Sequence, residues 1–384
     1  MIKPNYNYRA NPQRAIHVVG EFDDGLLAKT LPIIVQLRAE SNEPITAYID
    51  SHGGDARCLD VLAGALLAKD ANNKQCRLIT CAVGDAASAG AMLLVMGDYA
   101  IAHPHSTVHF HGIRRSEAEV TMEGAGELAG QLASRNRQIA KRLSDRMISR
   151  LTHRFVRLRP EFDEMRKQSV RPAMTEMMCF VAALERRTSE VADKIIDRSA
   201  SLLARASELS SVLFKAKVAE EQNALTQDVN VLRQVISYEV RQHRKNVGWR
   251  LNEDGLLGVM QDYLLLRDFY LGEHRRALKF ITALYGPDFL NDADLAAYEK
   301  LQNESKEKAL GFLGEKTASI LEQFWYFTVS ASRCFMEGEN RLSATDAYWL
   351  GAIDEVVGTS YYGVRKLIEK EETPKPSEPP PTAP

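Results

Sequence analysis

The sequence predicts an α/β fold carrying an inserted, mainly α-helical subdomain, on three observations. Apolar runs of strand length alternate with helix-length amphipathic stretches through the first 111 residues, which is the pattern of a layered α/β core. A serine stands among residues almost without side chains directly after one of those runs. A long stretch, 151–327, is rich in Leu, Ala, Glu, Arg and Lys and poor in Gly and Pro over much of its length.

Taken in order, Ile16-His17-Val18-Val19-Gly20 reads as a strand, 25–40 as a helix, 45–51 as a strand, 55–69 as a helix and 77–84 as a strand. Within the second helix Leu59, Leu62, Ala63 and Leu66 recur at helical spacing, giving one apolar face for the core. Thr107-Val108-His109-Phe110-His111-Gly112 alternates in the strand period, so His109 and His111 point to one face. Residues 120–150 fit a long helix with Leu128, Leu132, Ile139, Leu143 and Met147 on a stripe. Beyond it, 176–208 and 225–244 read as amphipathic helices, and 261–284, with Tyr263, Leu264, Phe269 and Tyr270, as a more buried one. Gly286-Pro287-Asp288 marks a turn and Asn291-Asp292 a helix start. The expected organisation is a flexible N-terminus (1–14), a core with the long helix (15–150), a helical insert (151–327), completion of the core (328–365), and a proline-rich tail (366–384) with too few apolar residues to pack.

Composition narrows the class. At 384 residues, 45% hydrophobic and net charge −2, the chain can bury one substantial core and a second unit. No apolar run approaches the ~20 residues of a membrane helix, and the first eight residues lack the apolar stretch of a signal peptide, so a cytoplasmic protein without membrane contact is expected. The five cysteines are scattered, with no C-x-x-C pair, and read as reduced structural thiols. Arg135, Arg137, Lys141, Arg142, Arg146, Arg150, Arg154, Arg157 and Arg159 form a basic run. Such a run can hold phosphates, but in a near-neutral chain it is expected to pair with acidic groups, and nucleic acid is not expected as a partner.

Chemistry concentrates in three segments. Gly84-Asp85-Ala86-Ala87-Ser88-Ala89-Gly90 follows the apolar run Leu78-Ile79-Thr80-Cys81-Ala82-Val83. A strand that ends in small residues and turns into a helix leaves a hydroxyl at the tip of the turn, unobstructed before a substrate carbonyl; the same segment also suits a tightly packed strand-to-helix junction. Upstream, Tyr48-Ile49-Asp50-Ser51-His52-Gly53-Gly54 ends in paired glycines that let backbone N–H groups approach a ligand. Downstream lies the histidine strand. His103, His105, His109 and His111 share parity, but Pro104 interrupts them and no cysteine or carboxylate accompanies them at zinc-ligand spacing, so neither metal nor cofactor is assigned.

The order of these segments resembles the proteolytic subunit of the ATP-dependent Clp proteases, serine peptidases of crotonase-like fold built as a spiral of β-β-α units. That family carries a strand ending Ser-Pro-Gly-Gly, an Ala-Ala-Ser turn, a histidine on a strand, and an Asp four residues before a Ser-Ala pair. Here they read Ser51-His52-Gly53-Gly54, Ala86-Ala87-Ser88-Ala89-Gly90, His111 and Glu339-Asn340-Arg341-Leu342-Ser343-Ala344. The resemblance covers about 15–150 and 328–360. It implies Ser88 as nucleophile, His111 as general base, Glu339 as the orienting acid with Glu337 as the alternative, and the N–H groups of Gly54 and Ala89 as the oxyanion hole. It further implies peptide or unfolded-protein substrates, a homo-oligomeric ring, and room for an ATP-dependent unfoldase partner. The family's long helix is a handle joining two rings, matched by 120–150; its axial gate and unfoldase-docking pockets are not located in this sequence. Three departures stand out: His52 replaces the proline, Gly112 follows His111 in place of Gln-Pro, and Glu339 replaces Asp. They keep open a second expectation, a catalytically weak or inactive scaffold whose insert binds a partner. A third, a crotonase-type acyl-CoA enzyme, has no need of a Ser–His pair.

Overall fold

The structure, a computed structural model, describes residues 8–70, 73–114, 122–167, 176–187, 282, 285–359 and 361–368. The chain divides into two compact units, Met1–Ile196 with Ala318–Pro384, and Asp197–Thr317. Residues 188–208 of the expected helix 176–208, the expected helix at 225–244, all of 261–284 except residue 282, and the expected tail from 369 on lie outside the described residues. Residues 366–368 of that tail instead end a helix, Val364–Ile368, in which Leu367 is buried because an apolar residue recurs three positions after Val364.

The first unit is built on a mixed sheet of seven strands among the described residues: β1 (Ala15–Phe22), β2 (Ile45–Gly54), β3 (Leu78–Ala87), β4 (Tyr99–Ala102), β5 (Thr107–Phe110), β6 (Asn340–Ser343) and β7 (Glu355–Val356). The order is β1-β2-β3-β4-β7, all parallel, with β5 parallel to β3 and antiparallel to β6. Strands of parallel sheets are covered on both faces and read as continuous apolar runs; Leu78 through Ala82 and all of β4 are buried accordingly. Helices α1 (Asp24–Glu40), α2 (Ala56–Leu67) and α3 (Ala89–Met96) connect the strands. Asp23 caps α1 by accepting from the Leu26 N–H at 2.7 Å, and Asp55 caps α2 by accepting from Arg57 at 2.7 Å, each meeting one of the orphan amides of a first turn. Every residue of α3 is buried, so this helix runs through the core.

β3 is forked. Residues 79–82 pair with β4, whereas Ala86 and Ala87 pair with Val108 and His109 of β5. The sequence predicts the strand's end at Gly84; it runs on to Ala87 because β5 offers a second partner. At Gly84 a Cβ would fall 2.3 Å from Asp50 Oδ1, whose carboxylate also accepts from the Asp85 N–H. A larger residue there would have to displace that carboxylate.

The long helix α4 (Met122–Lys167) does not end at Arg150 as expected from the sequence. Its continuation is covered by α5 (Glu176–Arg187): the rings of Phe155 and Phe162 lie 5.9 and 5.6 Å from that of Phe180, and all three are fully buried. The basic run faces inward as much as outward. Arg135 and Arg142 both meet Asp60 of α2, Arg146 meets Asp98 at 3.2 Å, and Arg154 stacks 3.7 Å over the Tyr348 ring while donating to the carbonyls of Tyr348 and Ile353.

After α7 (Lys306–Phe335), which crosses the boundary between the units, the chain returns through β6, α8 (Ala344–Trp349), β7 and α9 (Val364–Ile368). The return is anchored by Arg150, 3% exposed, whose Nε donates to Asp354 Oδ2 at 2.8 Å and whose two terminal nitrogens reach the carbonyls of Ala352 and Gly97, each at 2.8 Å. Asp354 Oδ2 also accepts from the Ala100 N–H at 2.8 Å. In the second unit, the Gly286–Phe289 turn and α6 (Asp292–Glu304) stand where Gly286-Pro287-Asp288 and Asn291-Asp292 predict them, with Asn291 accepting from the Asp294 N–H at 2.8 Å. Among the described residues no helix is long and apolar enough to cross a membrane.

Removing one member of a buried ion pair strands the other charge in the core. Asp354→Ala is therefore expected to cost about 3–5 kcal/mol, read as a lower denaturant midpoint for the unit; an unchanged midpoint would show that Arg150 is held adequately by carbonyls alone.

Candidate active site

Ser88 sits between β3 and α3 with φ 53° and ψ −117°. A side-chain-bearing residue at positive φ carries roughly 1–3 kcal/mol of strain, and the surroundings hold it there: its N–H donates to the His109 carbonyl at 2.8 Å and its own carbonyl accepts from Met92 at 3.1 Å. Gly53 makes room for it. A Cβ at Gly53 would lie 2.5 Å from the Ser88 Cβ and 3.1 Å from its Oγ. Gly53 and Gly54 adopt φ 106° and 143°, so the paired glycines are required by conformation and by contact alike.

Ser88 opens into a cavity of about 570 Å³, whose wall also includes Gly54, Ala89, His111, Arg114 and Arg135. The fork of β3 brings this about, because its second half delivers Ser88 to the strand that carries the histidines. His111 lies just past β5, with Nδ1 2.7 Å from the Gly112 carbonyl. A carbonyl only accepts, so the neutral ring carries its proton on Nδ1 and its lone pair on Nε2, the tautomer a general base toward a hydroxyl requires. The departure at Gly112 has a steric reason: a Cβ there would meet the Met336 carbonyl at 2.6 Å and Asn136 Nδ2 at 2.9 Å. Asn136 of α4 also accepts from the Ile113 N–H at 2.9 Å, fixing the segment beyond the histidine.

Glu339 is turned elsewhere. One carboxylate oxygen pairs with Arg114, and the other lies 2.7 Å from His109 Nε2, close but without the alignment of a hydrogen bond. The register of β5 and β6 pairs His109 with Arg341 and Phe110 with Asn340, so position 339 is next in line opposite His111. The structure thus brings Ser88, Ala89, Gly54 and His111 to one cavity and leaves the Glu339 carboxylate, just before β6, paired with Arg114 and beside His109. Glu337 is exposed in the turn before β6, where its carbonyl accepts from Asn340 Nδ2 at 2.9 Å. Of the other histidines, His103 takes part in the turn before β5, where its carbonyl accepts from the Ser106 N–H, and His105 is exposed.

Sequence reasoning missed Arg114 and Asn136. Arg114 stands three residues from His111 but in no periodic element, and Asn136 lies on a helix whose apolar stripe drew attention to other positions.

His109, 16% exposed, is held below the ordinary imidazole value of 6.5, first by burial and then by the nearby charges of Arg341, His111 and Arg114. These outweigh the opposing charge of Asp85. The folded state then binds fewer protons than the unfolded one as pH drops through that range, so the His109 contribution is full above the ordinary value and is lost below it. Between about pH 7.5 and about pH 5.5, the wild type should lose more stability than His109→Gln, measured by denaturant titration at each pH; parallel losses would count against the assignment.

Residues 5–153 match the protein family described as Clp protease. No curated protein matches the chain. The matched stretch contains Gly54, Ser88, Ala89 and His111 and ends within α4, whereas Glu339 lies beyond it. Through residues 5–153 the chain is similar to the Clp protease family.

Proposed function

We propose that this chain is a serine endopeptidase of the Clp type, cleaving peptides or unfolded polypeptides through an acyl-enzyme. The observation that carries this reading is the placement of Ser88: strained, framed by Gly53, and opening into the cavity that His111 lines. His111 Nε2 takes the proton as Ser88 Oγ attacks the scissile carbonyl, and returns it to the leaving amine as the tetrahedral intermediate collapses to the ester. A water molecule, deprotonated by the same nitrogen, then releases the acid. The Gly54 and Ala89 amides receive the oxyanion, each such donor lowering the barrier by about 3–4 kcal/mol, with the positive end of α3 behind Ala89. Glu339 stabilises the imidazolium once its carboxylate turns to His111. The ring assembly and ATP-driven unfoldase of the family belong to the same proposal. So does a cytoplasmic setting.

One observation favours the alternative of a catalytically weak or inactive scaffold: Glu339 is engaged by Arg114 and His109, leaving His111 to a backbone carbonyl.

The two readings separate on treatment with a fluorophosphonate followed by intact-mass analysis. One adduct is expected on the wild type and none on Ser88→Ala, with peptide cleavage by Ser88→Ala and His111→Ala reduced by at least about a thousandfold. Folded, assembled protein that takes up no probe would establish the scaffold reading.

A further inference from the structure

We propose that Arg114 is a substrate-sensing latch on the catalytic carboxylate, and that the site it guards prefers peptides with an acidic residue beside the scissile bond. This rests on the proposed peptidase activity. Arg114 is in two places at once: it lines the cavity that Ser88 opens into, and its guanidinium holds Glu339. Glu339 lies opposite His111 in the continued register of β5 and β6, where facing side chains of an antiparallel pair are nearest neighbours. Its carboxylate nevertheless reaches the diagonal His109 and Arg114. What holds the carboxylate away from His111 is its pairing with Arg114.

The Arg114–Glu339 pair is suited to exchange. The two side chains are 65% and 51% exposed, and ion pairs this open to water are weak. Glu339 gives Arg114 one carboxylate oxygen, whereas a carboxylate brought in by a bound peptide can offer it two. Glu339 is then released toward the Nδ1 proton of His111, replacing the Gly112 carbonyl as acceptor, so that both carboxylates keep a donor and Glu339 meets a charge once His111 is protonated in the reaction. The rest of the wall agrees in sign. Arg135, paired with Asp60 at 2.7 Å, adds a second cation to the lining, whose acidic residue, Asp55, caps α2 and sits 3.5 Å from Arg57 Nε. A neutral peptide has nothing to offer Arg114 and meets a site whose acid faces away from its base.

The test uses two fluorogenic peptides identical except for Glu or Gln next to the cleaved bond, assayed on the wild type and Arg114→Gln, with fluorophosphonate labelling of Ser88 followed in parallel. The wild type is expected to favour the Glu peptide by at least about tenfold in kcat/KM, mainly in kcat. Arg114→Gln should raise kcat on the Gln peptide and abolish the preference, which a merely structural arginine would not do. Labelling of Arg114→Gln faster than the wild type would be a further sign of the released acid. A labelled wild type that cleaves both peptides equally, or an Arg114→Gln that loses both activities together, overturns the latch and leaves the peptidase reading standing. Absence of labelling in both proteins overturns the peptidase reading and the latch with it.

Discussion

The first unit depends on one buried ion pair. Arg150 and Asp354 are 204 residues apart in sequence, and their contact joins three segments at once: the middle of α4, the end of α3 and β4 through the Gly97 carbonyl and the Ala100 amide, and the return that carries β6 and β7. Taking two charges out of water is unfavourable unless the remaining donors and acceptors are met. Here the guanidinium is met by carbonyls of Val95, Gly97 and Ala352 as well as by the carboxylate. An apolar contact would tolerate a shifted return segment; a guanidinium that needs several acceptors at fixed angles does not. The pair therefore specifies where the chain re-enters the sheet, and so where β6 lies against the histidine strand.

Much of this was legible in the sequence, and the limits were physical. The strands and helices up to β3 follow from apolar runs and period, and Asn291 before α6 follows from cap chemistry. Ser88 and the paired glycines could be read because small residues have few other reasons to cluster there. The extension of β3 through Ala86 and Ala87 could not, because alanine carries no strand signal and only the partner strand defines it. The helix α4 runs past Arg150 because Phe180 of α5 covers Phe155 and Phe162, a tertiary contact with no local trace. Position 339 came to notice only through the resemblance, with Glu337 as its alternative, and the direction of its carboxylate depends on Arg114, which no periodicity marks.

The pairing of β5 with β6 has a consequence for how this chain can change. The two strands are antiparallel neighbours, so everything between Phe110 and Asn340, including α4, α5 and the second unit, is in topological terms the connection of a hairpin. The register of such a pair is set by its ladder and by which side chains it buries, Val108 and Phe110 against Leu342 and Phe335 here. Closing a longer loop adds only about 0.6 kcal/mol per doubling of length. The second unit can accordingly lengthen, shorten or be exchanged through evolution while positions 111 and 339 continue to face each other, which makes it a region where new properties can be acquired without re-forming the chemistry.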